Sequence, residues 1–477
     1  MAERATTTSE TPTEPAAGGR GVPAAALVGL VAASLLVAAA FAVPPLFDWQ
    51  VWARSERAQA ALGHLPPVHG VWQPGLGVGT IPALLIAVAG VVWGPRLAAR
   101  VSWSGLLAGA YAVALAWLFA LALVDGESGL TRKLGADDEY LPTARSVDDV
   151  GAFLTGFVDR IPQGSEGQWP THVAGHPPGA TLFFVVLDRI GLGGDLAAAV
   201  VVVALAATLP LAVLVTLRAL DAEGAARTVA PFLVLTPAAV YLGVSGDAVI
   251  AVVVAWGLAC LALGARAGRA PSRRWLPLLA WSALAGVLLG NGVFLSYGMP
   301  LIGLVAVAVL VVARSWRPLP VAVVAALGVT GAYALGGFAW WEAYPVLVER
   351  YWDGLASDRP MTYWWWGNLA ALLVSAGLAV GAGVGAWAAR VGGALRVRTA
   401  GGPDARALLW LGGAGLACVV GADVSGMSKA EVERIWLPFV PWLTLTLALL
   451  PARWRTPALA LQVTAALVVQ HLLYTSW

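Results

Sequence analysis

Charged residues are scarce in this sequence, and lysine is the scarcest of them. Asp, Glu, Lys and Arg make up 12% of the chain, about half of the ~25% found in an average soluble domain. Only Lys133 and Lys429 are lysines, among 29 basic residues in all. Hydrophobic residues reach 59%, and the mean hydropathy is +0.77. This composition excludes an ordinary soluble protein and predicts a polytopic membrane protein.

Cysteine and strong net charge are also lacking. Cys260 and Cys418 both lie inside apolar runs, where small buried residues are expected rather than a disulfide or a metal site. The formal net charge is only +2, and the arginines are spread over short loops, so nothing indicates a nucleic-acid partner. Residues 1–21 are polar and predict a disordered tail. No secretory cleavage pattern follows them, so the first apolar run is expected to stay as a membrane helix.

Apolar runs follow one another from residue 22 to 477, with no internal repeat and no soluble domain of appreciable size. A spanning helix needs about 20 apolar residues, which gives about 13 candidates. They lie near 22–43, 76–94, 104–124, 195–217, 228–244, 248–265, 276–295, 298–313, 319–341, 364–389, 407–422, 435–450 and 457–476. None carries Asp, Glu, Lys or Arg in its interior, unlike the spans of ion-coupled transporters. The predicted fold class is one all-α polytopic membrane domain.

Arginine placement predicts the orientation, because cytoplasmic loops are enriched in basic residues. With a cytoplasmic N-terminus, each cytoplasmic connection after the tail is short and carries at least two arginines. The apolar run Ala180–Ile190 would make about 16 Å of helix, which cannot cross about 30 Å of hydrocarbon. We therefore predict a juxtamembrane helix there, on the outer face. The main outer loop is then 125–194, and a second outer loop is 342–363.

The polar stretch from Asp125 to Pro178 holds the densest group of carboxylates in the chain. It contains two of the five histidines and closes with Gly175-His176-Pro177-Pro178. Within it, Val147–Ile161 has the spacing of apolar residues that favours helix. Because the cytoplasmic side has only short connections, we expect function to lie on the outer side.

Several of these features together resemble the GT-C superfamily of membrane glycosyltransferases. A helix, Trp103–Val124, runs outward into Asp125 and Glu127. The loop that follows ends in His-Pro-Pro, like the first large loop of protein mannosyltransferases. The turn LRALDAEGAAR and the late segment SKAEVERIWLPFVPWL complete the likeness, which covers about residues 103–477. Two further helices, about 22–94, precede the part that resembles the family.

The resemblance implies an inverting transfer of a sugar from a polyprenyl-phosphate donor to an envelope glycolipid or polysaccharide, on the outer face of the plasma membrane. Scarce lysine with abundant Ala, Gly and Val indicates a GC-rich, actinobacterial-type genome. Mannose, arabinofuranose or another pentose, including methylthioxylose, are then the donor sugars to consider for lipoglycan assembly. Two alternatives stay open: a flippase or exporter of a lipid-linked glycan, and a non-catalytic scaffold for envelope assembly.

Such a transfer needs a base for the acceptor hydroxyl and positive charge for the leaving phosphate. The candidate bases are Asp125, at the outer end of a helix, Glu139 in DDEY, and Asp48 in FDWQVW. Each acid also has a plainer interpretation as a solvated or interfacial residue. No metal-ligand motif is present, but some family members use a divalent cation, so that question stays open.

The candidate ligands of the donor phosphate are Arg434, Lys429 and His176. Arginine suits phosphate because its planar fork binds two oxygens. The candidates for binding acceptor or sugar are His172, Tyr140, Glu431 and Trp352. The structural alternatives are a helix cap at His176, a salt-bridged turn around Arg434, and an interfacial aromatic belt that includes Trp352. Metal binding by His172 and His176 would need a continuous helix, which Gly175 and Pro177 disfavour.

Overall fold

The computed structural model describes residues 21–55, 59–60, 63–269, 275–397 and 401–475. Within these residues the chain is mostly helical, and strands occur only at Gly70–Trp72 (β1) and Leu473–Thr475 (β2). The predicted disordered tail lies outside the described residues, apart from Gly21, which begins the first helix.

The helices of the first half of the chain surround the long polar segment. They are α1 (Gly21–Leu46), α2 (Thr80–Arg100), α3 (Trp103–Ala122), α4 (Ser128–Thr131), α5 (Tyr140–Arg145), α6 (Val150–Thr155), α7 (Thr171–Gly175), α8 (Gly179–Arg189), α9 (Asp195–Ala206), α10 (Leu209–Ala219), α11 (Glu223–Val234) and α12 (Ala239–Leu242). Two 3-10 turns accompany them, at Leu123–Asp125 and Val158–Arg160.

The described helices of the second half run from Gly246 to Leu472. They are α13 (Gly246–Arg269), α14 (Trp275–Leu295), α15 (Gly303–Ala313), α16 (Pro318–Leu335), α17 (Trp340–Asp353), α18 (Met361–Ala376), α19 (Ala379–Val397), α20 (Pro403–Val424), α21 (Val432–Ile435), α22 (Val440–Thr444) and α23 (Ala452–Leu472). Two further 3-10 turns lie at Met299–Ile302 and Leu445–Leu449.

Eight helical segments of the described chain are long and apolar enough to cross a membrane. They are α1, α2, α3 with its 3-10 extension, α9 with α10, α13, α14, α16 and α20. Helices α18 and α19 would make a ninth span, bent by 107° at the break between them. The predicted all-α polytopic membrane architecture is confirmed, whereas the predicted count of about 13 spans is not.

Prolines and one glycine explain why three of the predicted spans, 228–244, 364–389 and 435–450, are broken. Proline cannot donate the helical hydrogen bond, so it ends or kinks helices. Pro237 separates α11 from α12, and Pro438 and Pro441 lie where the apolar run 435–450 breaks into short pieces. Gly377, with a φ of +88°, separates α18 from α19. Hydropathy alone does not register these breaks, because the runs stay apolar across them.

The short helices of the polar segment agree with the sequence analysis in part. Helix α8 has 11 residues and begins directly after Pro178, as predicted for the short apolar run. The predicted helix over Val147–Ile161 appears as α6 followed by a 3-10 turn. Their placement on the outer face stays a prediction.

Helix α1 packs on α19 through backbone contacts that only small residues allow. A Cβ added at Gly29 would lie 2.1 Å from the carbonyl oxygen of Gly381, and one at Gly385 would lie 2.1 Å from that of Ala25. Such small-residue contacts are a common way for membrane helices to associate. The same N-terminal region is tied to the C-terminal one, since β1 pairs antiparallel with β2 and Gly70 lies opposite Thr475.

Gly29→Ala is expected to lower the thermal unfolding temperature, although alanine is the better helix former. The new methyl group would clash with the Gly381 carbonyl, and overpacking costs about 1–3 kcal/mol. Gly328→Ala in α16 is the matched control, because a Cβ there meets no atom within 4 Å. Unfolding in detergent measures both variants. If both variants changed the unfolding temperature by the same amount, the close contact between α1 and α19 would not be what makes Gly29 necessary for stability.

Candidate active site

Six polar side chains from distant parts of the chain meet in one group, here named the polar cluster. They are Lys133, Glu139, His172, Asp247, Glu431 and Arg434. All except Glu431 are buried. They come from the segment between α4 and α5, from α7, from the first turn of α13, and from α21 with the residue before it. A buried group of this kind must balance its charges, since an unpaired buried charge is very costly.

Glu139 lies at one end of the cluster and is 1% exposed. Its Oε1 atom is 2.9 Å from Lys133 Nζ and 3.1 Å from His172 Nδ1. Both carboxylate oxygens are buried and make no hydrogen bond of good geometry within the described residues. Lys133 and His172 therefore meet Glu139 as ion-pair contacts on Oε1.

The charge state of Glu139 follows from its neighbours. Burial on its own raises the pKa of this carboxyl, but its contact with His172 Nδ1 and the charges of Lys133 and Arg434 together lower it by more. The net pKa lies well below its usual range, so Glu139 is ionised at neutral pH.

Arg434 is the centre of the cluster and is 2% exposed. Its Nη1 atom pairs with Asp247 Oδ2, and its Nη2 atom lies 3.0 Å from His172 Nε2 and 3.4 Å from Glu431 Oε2. Burial lowers the pKa of the guanidinium, but Asp247, Glu139 and Glu431 raise it by more, so Arg434 stays charged. The predicted salt-bridged turn is thus present, but its partners come from three separate segments.

The loop before α21 is held in an unusual conformation by Asn368 of α18. Ala430 and Glu431 have φ values of +66° and +60°, a region that residues other than glycine rarely adopt. Asn368 is buried, donates to Asp423 Oδ1 and the Ser428 carbonyl, each at 2.9 Å, and accepts from Ala430 N–H at 3.0 Å. These three bonds fix the path of the chain into α21 and so aim Arg434.

Arg359 links the same loop to the segment between α1 and α2. Its Nε atom donates to the Trp52 carbonyl at 2.9 Å, its Nη1 atom donates to the Lys429 carbonyl, and its Nη2 atom lies 3.5 Å from Glu431 Oε1. The backbone N–H of His69 donates to Glu433 Oε1 at 2.7 Å. The sequence analysis left the role of α1 and α2 open. The segment between these two helices is bonded to Arg359 and Glu433, and so helps to hold the loop that contains Glu431.

The aromatic rings of Tyr140, His176 and Phe184 pack against one another beside the polar cluster. The Tyr140 ring stacks on Phe184 with centroids 5.9 Å apart, and His176 meets its edge at 5.5 Å. The Tyr140 hydroxyl is buried and has no hydrogen-bond partner among the described residues. Burial is the main cause that lowers the pKa of His176, so this ring is neutral at neutral pH. His176 Nδ1 lies 3.0 Å from the His172 carbonyl oxygen, just past the end of α7.

Four of the predicted site residues lie outside the polar cluster. Asp125 is about one third exposed and lies 3.7 Å from Arg132 Nη2, and none of its hydrogen bonds or ion pairs within the described chain joins the polar cluster. Asp48 is exposed, just after α1. Lys429 Nζ donates to the carbonyls of Ala356 and Arg359, at 2.8 and 2.9 Å. Trp352 lies under Lys429, 4.4 Å from Nζ to the ring centroid.

Lys133 and Asp247 are members of the cluster that the sequence analysis did not select. Lys133 could have been selected from the sequence, because it is one of only two lysines and lies in the longest polar segment. Asp247 follows an apolar run, and sequence alone does not separate a helix-end acid from a site acid. It belongs to the first turn of α13, one residue before the predicted apolar run 248–265, so it lies at the end of this span, where the sequence analysis placed it.

The acids of the cluster do not fit a divalent cation. Within the described residues, no group of three or more His, Cys, Asp or Glu side chains could hold a metal ion. The buried carboxylates of Glu139 and Asp247 instead face Lys133 and Arg434.

Comparisons with known proteins match this chain in structure alone. No family model matches it, and no curated protein matches it in sequence. Solved structures that match include ArnT from Cupriavidus metallidurans in the apo state, 20% identical over 69% of this chain and 57% of that one, with a TM-score of 0.41. They also include the Archaeoglobus fulgidus oligosaccharyltransferase with Zn and sulfate, 14% identical over 82% of this chain and 52% of that one, with a TM-score of 0.42.

The chain thus spans little more than half the length of these solved structures. Similarity this low assigns no residue, substrate or reaction to the present chain.

Arg434→Met is expected to destabilise the protein by about 3–5 kcal/mol, because it leaves the Asp247 carboxylate buried without its cation. Asp247→Asn is also expected to destabilise the protein, because it leaves the buried Arg434 guanidinium without this carboxylate partner. The double variant should cost clearly less than the sum of the two, since the residues are in direct contact. Reversible unfolding in mixed micelles measures all three, with exposed Arg453→Gln as the control. Simple additivity would contradict the pairing.

Proposed function

We propose that this chain is an inverting glycosyltransferase that moves a sugar from a polyprenyl-phosphate donor to an envelope glycolipid or lipoglycan. The observation that carries the proposal is Glu139, a buried, ionised carboxylate whose Oε1 atom lies in ion-pair contact with Lys133 and His172. An inverting transfer needs one such base next to positive charge. The sequence motifs shared with GT-C enzymes support the same reading.

In the proposed reaction the acceptor hydroxyl oxygen attacks the anomeric carbon of the donor sugar. Glu139 Oε2 takes the hydroxyl proton as the new C–O bond forms. The bond between the anomeric carbon and the phosphate oxygen breaks, and polyprenyl phosphate leaves with both electrons of that bond. The low pKa of Glu139 makes it a weak base, which suits a late proton transfer, when the attacking hydroxyl has become acidic.

Lys133 is the cation that we propose to bind the donor phosphate. It pairs with Glu139 and, at 3.5 Å, with Asp138, whose side chain is 49% exposed. A phosphate oxygen can replace this loosely held, solvated carboxylate without uncovering a buried charge. Arg434, the ligand predicted from sequence, is enclosed by Asp247 and Glu431. We propose that it acts through its positive charge, which stabilises the leaving group from a distance.

The remaining predicted ligands have different proposed roles. The buried Tyr140 hydroxyl has no partner in the described chain, and we propose that it binds a sugar hydroxyl. Lys429 is committed to backbone carbonyls, so its proposed role is to shape the loop before Glu431. Trp352 is 41% exposed and offers a ring face on which an acceptor sugar could stack.

The substrates and orientation are proposed from the sequence. Mannose, arabinofuranose or another pentose is the proposed donor sugar, and an actinobacterial-type lipoglycan is the proposed acceptor. The N-terminus is proposed to lie in the cytoplasm, with the polar cluster at the outer face of the plasma membrane. The exporter alternative gains no support from the bundle, where one cavity is lined by Leu118, Leu209, Leu437 and other mainly apolar side chains.

Glu139→Gln is expected to reduce sugar transfer by about 10²–10⁴-fold, because the amide cannot accept the hydroxyl proton. Cells that lack the gene, complemented with wild-type or variant protein, allow lipoglycan sugars to be compared at equal protein levels. Asp125→Asn is the control and should restore the missing sugar.

The other outcomes of this experiment are equally informative. If Glu139→Gln restores the sugar and Asp125→Asn does not, the base is Asp125. If deletion changes no envelope sugar, the transferase assignment is wrong and the scaffold alternative gains weight. Asp48→Asn tests the third acid in the same way.

The acid limb of the pH–rate profile is expected below the ordinary carboxylate range, because the pKa of Glu139 is lowered. Activity then persists as the pH falls and is lost only when Glu139 binds a proton. Lys133→Met removes one of the cations that lower this pKa, so the limb should move to higher pH. Lys133→Arg keeps the charge and should leave the limb in place. An unchanged limb in Lys133→Met would mean that another group controls it.

A further inference from the structure

We infer that His172 is a neutral positioning residue that connects Arg434 to Glu139 through a single, fixed tautomer. This inference rests on the proposed function in one respect, namely that Glu139 is the base whose position matters. The observation behind it is the bridge formed by the two ring nitrogens. His172 Nε2 lies 3.0 Å from Arg434 Nη2, and His172 Nδ1 lies 3.1 Å from Glu139 Oε1.

The tautomer follows from the chemistry of the partners. A guanidinium has five donors and no acceptor, so the nitrogen that faces Arg434 must accept and carries no proton. The remaining ring proton is then on Nδ1, where Glu139 Oε1 at 3.1 Å and Asp138 Oδ2 at 3.4 Å are both acceptors. The opposite tautomer, or a doubly protonated ring, would point an N–H of His172 at an N–H of Arg434.

The ring is held in this position by the backbone around it. The His172 N–H donates to the Asp138 carbonyl at 3.2 Å, and the His172 carbonyl oxygen is 3.0 Å from His176 Nδ1. Helix α7 has only five residues and lies between Pro170 and Pro177. His172 is 7% exposed, so water has little access to either nitrogen.

This arrangement gives His172 a task other than acid–base catalysis or the acceptor binding predicted from sequence. Its acceptor lone pair is already used by Arg434, so it is not the base. Its Nδ1–H and Lys133 Nζ both face Glu139 Oε1, at 3.1 and 2.9 Å, and the proposed reaction assigns the proton of the acceptor hydroxyl to Oε2. Through the same ring, the position of Arg434 in α21 determines the position of Glu139, which directly precedes α5. His172 and Arg434 are 262 positions apart in the sequence, so this link is made only in the folded protein.

Two substitutions separate the two halves of the bridge. His172→Asn places an amide N–H near the position of Nδ1 and so keeps the donor to Glu139. His172→Gln places a carbonyl oxygen near Nε2 and keeps the acceptor for Arg434. We expect His172→Ala to lose about 100-fold in kcat, the usual scale for a displaced catalytic group. His172→Asn should recover most of this loss and His172→Gln little of it, with the KM for the acceptor nearly unchanged.

A spectroscopic measurement tests the tautomer without any assay of transfer. The chain has only five histidines, so ¹⁵N-histidine NMR of the full-length protein in lipid bilayers is tractable. The His172 signals are those lost in His172→Asn or, if that variant does not fold, in His172→Gln. We expect a protonated Nδ1 and an unprotonated Nε2. A protonated Nε2, alone or together with Nδ1, would overturn the inference.

The two measurements keep this inference apart from the proposed function. If NMR finds the expected tautomer but no sugar transfer exists, the bridge is structural and the proposed function fails. If transfer exists and His172→Ala is as active as wild type, the proposed function stands and the positioning role is wrong. Rescue by Asn, not by Gln, together with the expected tautomer supports both.

Discussion

The buried ion pair between Arg434 and Asp247 is the interaction on which the rest of the site depends. It joins the first turn of a spanning helix, α13, to the short helix α21 near the C-terminus. Neither charge could stay buried alone, because removing an ion from water costs several kcal/mol unless a partner compensates. His172 and Glu431 contact this pair directly, Glu139 is tied to it through His172, and Lys133 is tied to it through Glu139 and His172.

The contacts around this pair extend to almost every part of the chain. His172 carries them to Glu139 in the long polar segment, and Glu431 carries them to Arg359. Arg359 in turn bonds the segment between α1 and α2, which α1 supports through its close packing on α19. The N-terminal helices that precede the GT-C-like part of the sequence are therefore integrated with the site rather than appended to it.

Pairing also prepares the cluster for chemistry. Donors that are already held in place do not need to reorganise when charge develops on a substrate, and this is a major source of catalytic power. Glu139 fits this pattern, because its Oε1 atom lies against Lys133 and His172.

The sequence by itself determined the membrane-embedded, all-α class, the short helix after Pro178, and the polar segment in which the chemistry is expected. It also selected Glu139, Tyr140, His172, His176, Glu431 and Arg434 as candidates, because their residue types are those that the chemistry needs. Only the tertiary structure decided that these six lie together. It also separated Glu139 from Asp125, two acids in one polar segment, through burial and long-range pairing. Local patterns do not encode contacts between residues that are hundreds of positions apart, nor the proline breaks that reduce the number of full-length spans.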